Sequence, residues 1–154
     1  MYDRILVPYD KSEHAKHALQ TAIDFTAKSK SPKITVLYVT ELPDFEDPGF
    51  EAAAQMAGVS PQSTQDSLKA RRMYYDAQRG EIQEATADIV GDFKEIEFRV
   101  AAGKPQNVID EYATTGEYDV VIMGCRGLGA LRGALGSVSF AVLRSVDIPV
   151  LVVK

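Results

Sequence analysis

Short apolar runs alternate along this chain with longer stretches whose apolar residues recur every three or four positions. Ile5-Leu6-Val7, closed by Pro8, is too short for a helix and rich in strand formers, so Arg4–Val7 is the first predicted strand. Ser12 is placed to cap a helix, because its hydroxyl can accept from a free N–H of the first turn. Ala15, Ala18, Leu19, Ala22, Ile23 and Phe25 follow at helical spacing, and the Lys28–Pro32 cluster ends that helix. Ile34–Val39 reads as a second strand. Glu41–Gln65 breaks the pattern with Pro43, Pro48, Pro61 and several acids, and offers one short helix at Glu51–Ala57. Stretches of this length are generally functional or mobile. Asp66–Val90 then reads as a long amphipathic helix. In Phe93–Ala101 the residues Ile96, Phe98 and Val100 alternate inward, as in a strand with one wetter face. Gly103-Lys104-Pro105 turns the chain into a helix at Gln106–Thr115. Asp119–Met123 is a buried strand, a glycine-rich loop follows, Ser137–Ser145 is a helix, and Pro149–Val153 is the last strand.

Strands that alternate with helices imply parallel pairing through right-handed crossovers. Near-continuous apolar strands imply a sheet covered on both faces. The predicted fold class is α/β: an open, doubly wound, parallel five-stranded sheet of order 3-2-1-4-5, Rossmann-like, with residues 1–154 as a single domain. No linker or internal repeat interrupts it.

Composition narrows the function. An apolar share of 45% and a charged share of 25% suit a soluble domain with an ordinary core. The lone Cys125 can form no intrachain disulfide, which fits a reducing compartment. Asp3 and Arg4 interrupt any leader-like run, and no stretch approaches a membrane span, so the expected location is cytoplasmic, with no membrane partner. The net charge is −5 and the basic residues are scattered, so no nucleic-acid partner is expected.

The chemistry gathers in two loops. Sheets of this kind bind ligands beyond the carboxyl ends of their strands, where strand order reverses. Here that is between strands one and four, beside Pro8–Ser12 and Gly124–Ser137. Five of the fourteen residues from Gly124 to Ser137 are glycine, and they lead from a buried strand into a helix. Glycine lets the backbone approach a ligand, and a helix N-terminus offers free N–H groups and a positive dipole end. Together these suit phosphate, with Ser137 as an added hydroxyl donor. The P-loop pattern is absent. Gly127-x-Gly129-x-x-x-Gly133 is misplaced for a dinucleotide fingerprint, which belongs after the first strand, so NAD is rejected.

At this point the sequence resembles the universal stress protein family over essentially its whole length. The resemblance lies in Ile5-Leu6-Val7-Pro8-x-Asp10-x-Ser12, in Gly103-x-Pro105, in Met123-Gly124-x-x-Gly127 with Gly136-Ser137-Val138-Ser139, and in Ile148-Pro149-Val150-Leu151-Val152-Val153. The ATP-binding branch carries nine residues between its second and third motif glycines. Here Leu128–Leu135 supplies eight, so the loop is one residue short. The resemblance implies that Asp10 and Val39 hold the adenine and ribose side, that Pro8 shapes the first turn, and that Met123 sits beside the base. It also implies that Gly124, Gly127, Gly136, Ser137 and Val138 cradle ribose and phosphates. An acid ending strand one can accept from ribose hydroxyls, although Asp10 also reads as a capping acid beside Ser12. Arg126 and Arg132 are either phosphate partners or solvent-facing.

His14 and His17 lie three apart, but nothing nearby completes a metal site, so no tightly bound structural metal is expected. Cys125, beside Arg126 and near a helix N-terminus, is either a redox sensor or a plain loop cysteine. No nucleophile–histidine pair sits in a recognisable motif, so no enzyme is expected. The expected ligand is ATP, with or without Mg. The apolar edge strand Pro149–Val153 invites pairing with a second copy, and the resemblance also implies a homodimer. The leading expectation is a non-catalytic, ATP-binding regulator of stress responses. Two alternatives stay open: a slow ATPase or autophosphorylating protein, and a nucleotide-free dimeric adaptor.

Overall fold

Among the described residues, strands and helices alternate along the chain. The computed structural model describes residues 2–27, 29–40, 63–128 and 135–154, together with Met56. The elements are β1 (Arg4–Tyr9), α1 (Glu13–Thr26), β2 (Lys33–Thr40), α2 (Ser63–Val90), β3 (Ile96–Ala102), α3 (Pro105–Thr115), β4 (Val120–Gly124), α4 (Ser137–Ser145) and β5 (Val150–Val153). All pairings are parallel and the sheet order is β3-β2-β1-β4-β5, as the alternation predicts. The short helix expected at Glu51–Ala57 and the arginine at position 132 lie outside the described residues.

Alternate strand residues point to opposite faces, and the core divides accordingly. On one face Ile5, Val7, Ile34, Val36, Val120 and Ile122 pack against Ala15, Leu19 and Ala22 of α1 and Ile82 of α2. On the other, Leu6, Leu37, Val121 and Met123 pack against Val108 and Ile109 of α3 and Val142 of α4. β1 and β4 thus send their following helices to opposite faces. Their direct pairing is confined to Ile5–Val120 and Leu6–Val121.

The boundaries show where packing overrides pattern. β1 continues through Pro8 to Tyr9, because Pro8 pairs with Leu37 of β2 and lies beyond the β4 ladder, where its missing N–H breaks no β4 bond. Helix α2 begins at Ser63, three residues before the expected Asp66. Phe93 is not in a strand: its N–H donates to the Val90 carbonyl at 3.0 Å and closes the end of α2, so β3 starts at Ile96. Phe25 fits the helical spacing but is 46% exposed, because the buried stripe runs through Ala15, Ala18, Leu19, Ala22 and Thr26. Ser12 caps α1 as expected, its Oγ accepting from Ala15 N–H at 3.2 Å. No described helix is long and apolar enough to cross a membrane.

At the amino ends of the central strands, Asp119 bridges the entry to β4 and the start of β1. Its Oδ2 accepts from the N–H groups of Asp3 (3.0 Å) and Arg4 (2.8 Å), and its Oδ1 from the Arg4 guanidinium at 3.1 Å. Burial alone would raise this carboxyl. The backbone and side-chain donors of Arg4, with the Asp3 N–H, outweigh burial and hold it below the usual 3.8. A depressed carboxyl stabilises the fold above its unfolded pKa, and loses that contribution as pH falls through the folded value. We therefore expect Asp119→Ala to lose about 1–3 kcal/mol in urea unfolding at pH 7. The gap to the parent should narrow as the solution is acidified below the ordinary aspartate range, and a constant gap would contradict this account.

Candidate functional site

Beyond the carboxyl ends of β1, β2 and β4 lies a cavity of about 550 Å³ on the α3/α4 side of the sheet. Its size falls within the range of small-molecule sites. All ten residues singled out in the sequence line it: Pro8 and Asp10 after β1, Val39 on β2, Met123 and Gly124 on β4, Arg126 and Gly127 in the loop, and Gly136, Ser137 and Val138 at the start of α4. Met123 is buried and Val39 half-buried, so the inner wall is apolar. Asp10 and Ser137 are exposed and sit where water enters.

The acid side is built by a tight turn. Asp10 Oδ1 accepts from Ser12 N–H at 3.0 Å, so the capping reading of Asp10 holds for one of its oxygens. Its other oxygen faces Gly127, and a Cβ built on Gly127 would run into it. Gly127 therefore permits the close approach of Asp10 to the loop. Between Asp10 and Ser12, Lys11 adopts φ 67, which costs a lysine about 1–2 kcal/mol. Its Nζ donates to Glu81 Oε1 of α2 at 2.8 Å and to Gln78 Oε1 at 3.4 Å, and lies 5.0 Å from the centre of the Tyr38 ring. The bond to Glu81 is the main cause that holds the ammonium above its usual pKa.

Two helices begin at the cavity without side-chain caps. Gly136 is the N-cap of α4 and Lys104 that of α3, with Pro105 in its first turn, and both starts line the cavity. Their first N–H groups and dipole ends favour an anion. The floor of the loop is fixed by backbone: Gly136 N–H donates to the Cys125 carbonyl at 2.8 Å, and Cys125 N–H to Val153 at 2.7 Å. Ser139 Oγ donates to the Gly124 carbonyl at 2.8 Å. Cys125 is 7% exposed, so its thiol is shielded from solvent. Arg126 reaches His14 of α1, Nη2 lying 3.5 Å from Nε2, while His17 meets the Lys154 carbonyl at 3.4 Å. Among the described residues no cluster of three His, Cys, Asp or Glu could hold a metal.

Leu37 and Ile109 also line the cavity and were not expected there from the sequence, while Tyr9, Leu135 and Pro105 line it from segments the sequence marked without giving them a ligand role. A signal for Ile109 was present, since it stands one turn after Pro105 at a helix entry already marked by Gly103-x-Pro105. Leu37 was recoverable from the two-residue period of β2, two positions before Val39. The stretch 129–134, which includes Arg132, lies outside the described residues.

The universal stress protein family model matches residues 1–154. The stress response protein NhaX of Bacillus subtilis is 32% identical over 163 residues, covering 99% of this chain and 98% of its own. The universal stress protein Sll1388 of Synechocystis is also 32% identical, with the same coverage. Among solved structures, the protein MJ0577 is 25% identical, covers 100% of this chain and 96% of its own, and has a TM-score of 0.69. Two more distant structures share the fold. One is a universal stress protein in complex with cAMP (21% identical, 99% of this chain and 97% of its own, TM-score 0.61). The other is an Arabidopsis thaliana family protein with AMP bound (16%, 99% and 91%, 0.55).

Gly124 sets how closely α1 meets β4. A Cβ there would come within 2.8 Å of both the carbonyl carbon and the Cβ of His14. These are backbone and backbone-rooted atoms that cannot swing aside. Gly124→Ala should therefore cost about 1–3 kcal/mol in denaturant unfolding. Unchanged stability would mean that the start of α1 is free to shift.

Proposed function

The chain belongs to the universal stress protein family, and on that premise we propose that it binds an adenine nucleotide, ATP foremost, as a non-catalytic regulator of stress responses in the cytoplasm. One observation carries this reading: a single cavity brings together an apolar wall, a carboxylate and two uncapped helix starts. The apolar wall at Val39, Met123 and Ile109 suits a planar base. Asp10, whose outer oxygen faces the cavity beside Gly127, suits ribose hydroxyls. The N–H groups at Gly136–Val138 suit phosphates. The cAMP and AMP complexes of distant family members point to the same ligand class, at identities where the likeness is of fold.

The site is read as binding without turnover, a reading supported by its lining: among the described lining residues Asp10 is the only acid and none is a histidine. ATP would bind through backbone N–H groups and the Ser137 hydroxyl, with or without Mg. The protein is read as a homodimer. β5 is an edge strand, and α4, whose Val142 shares a core cluster with Val150, leaves Phe140 and Leu143 51% and 47% exposed. A second copy pairing along β5 would cover the edge.

Calorimetric titration of the nucleotide-free protein tests the reading. ATP should bind saturably in the parent, and Gly127→Val should weaken it at least tenfold, since a valine there displaces Asp10 and blocks the backbone together. No heat at millimolar ATP would favour the nucleotide-free adaptor. Phosphate release that is lost in Ser137→Ala would favour the slow enzyme. Light scattering should give twice the chain mass, and a monomer mass at every concentration would remove the dimer.

A further inference from the structure

The turn that carries Asp10 is held from the far side of the sheet. Asp10 Oδ1 and Ser12 N–H close a short side-chain turn around Lys11. At its centre Lys11 takes the left-handed conformation that glycine or asparagine adopts more readily. The head group of Lys11 explains how that conformation is kept. It is fastened to Glu81 and, one turn earlier on α2, to Gln78, and it lies over the Tyr38 ring. None of these four residues lines the cavity. As an exposed pair, Lys11 and Glu81 add little to global stability. Their geometric effect is local, because Lys11 is bonded in sequence to Asp10 and the outer oxygen of Asp10 rests against Gly127.

We propose that Lys11 and Glu81 are positioning residues for the Asp10 carboxylate, α2 acting as the fixed point that aims it at the ribose hydroxyls. This rests on the adenine-nucleotide reading above. Released from α2, Lys11 would leave the left-handed region and the turn would relax. The carboxylate would then move against Gly127, and the ligand would lose its ribose contact while keeping base and phosphate contacts. Helix α2 thereby sets ribose recognition without touching the ligand.

Calorimetry with ATP and 2′,3′-dideoxy-ATP on the full chain tests this, because only ATP offers the hydroxyls. The parent should prefer ATP, and Glu81→Gln should reduce that preference about threefold with little change in melting temperature. Lys11→Met should do the same. The two changes together should cost no more than either alone, since they break one contact. The charge exchange Lys11→Glu with Glu81→Lys should recover part of the preference lost in Lys11→Glu. A preference unchanged in Glu81→Gln overturns the inference and leaves the nucleotide reading standing. So does a parent that binds both ligands equally well. A parent that binds neither overturns the nucleotide reading, and this inference with it.

Discussion

Two parallel strands that pair at their amino ends and send their helices to opposite faces leave a gap at their carboxyl ends. β1 and β4 meet through Ile5–Val120 and Leu6–Val121. Beyond that ladder α1 turns to one face and α4 to the other. Nothing in a right-handed crossover can fill the space between the two turns. The cavity is therefore a consequence of sheet order, and its lining is whatever follows the two strands. For β1 that is an acid in a turn, and for β4 a run of glycines leading to a helix start.

The same divergence explains why those glycines do more than one task. With α1 folded back over β4, position 124 must pass under the backbone of His14, and only hydrogen fits there. At Gly127 the loop passes Asp10, and the missing side chain leaves room for that carboxylate. The result is mixed chemistry in a small volume: the Asp10 carboxylate and the uncapped start of α4 at Gly136 both adjoin Gly127, and apolar strand residues lie beneath.

Much of this was legible in the sequence, because the strands are so apolar. Ile5-Leu6-Val7 and Val120–Met123 have few competing readings, and the alternation with helices fixes parallel order. The ten expected cavity residues fall together because strand ends and loop glycines are marked by residue type. Contributions from the sides of elements carry a fainter mark: Ile109 on α3 and Leu37 on β2 read as core residues unless their spacing from Pro105 and Val39 is followed, and Phe25 fits the helical period yet is 46% exposed. Lys11 is the clearest case. A lysine in a turn reads as a solvated charge. Its partners Gln78 and Glu81 lie 67 and 70 residues further on, and no local pattern announces a contact that only the placement of α2 creates.

The short loop can be weighed against this architecture. Relative to the ATP-binding pattern that the sequence resembles, one residue is missing between Gly127 and Gly136. A loop can hold its ends in place, or its ends can be held by what they join. Here they are held. Gly136 is bonded through its N–H to Cys125, a Cβ on it would lie 3.3 Å from the Arg126 Cα, and Cys125 is tied to β5. Closing a loop of eight residues rather than nine changes its entropy very little. The missing residue thus leaves both ends of the loop where β4, β5 and α4 set them, and the cavity wall that those ends build does not depend on the length between them.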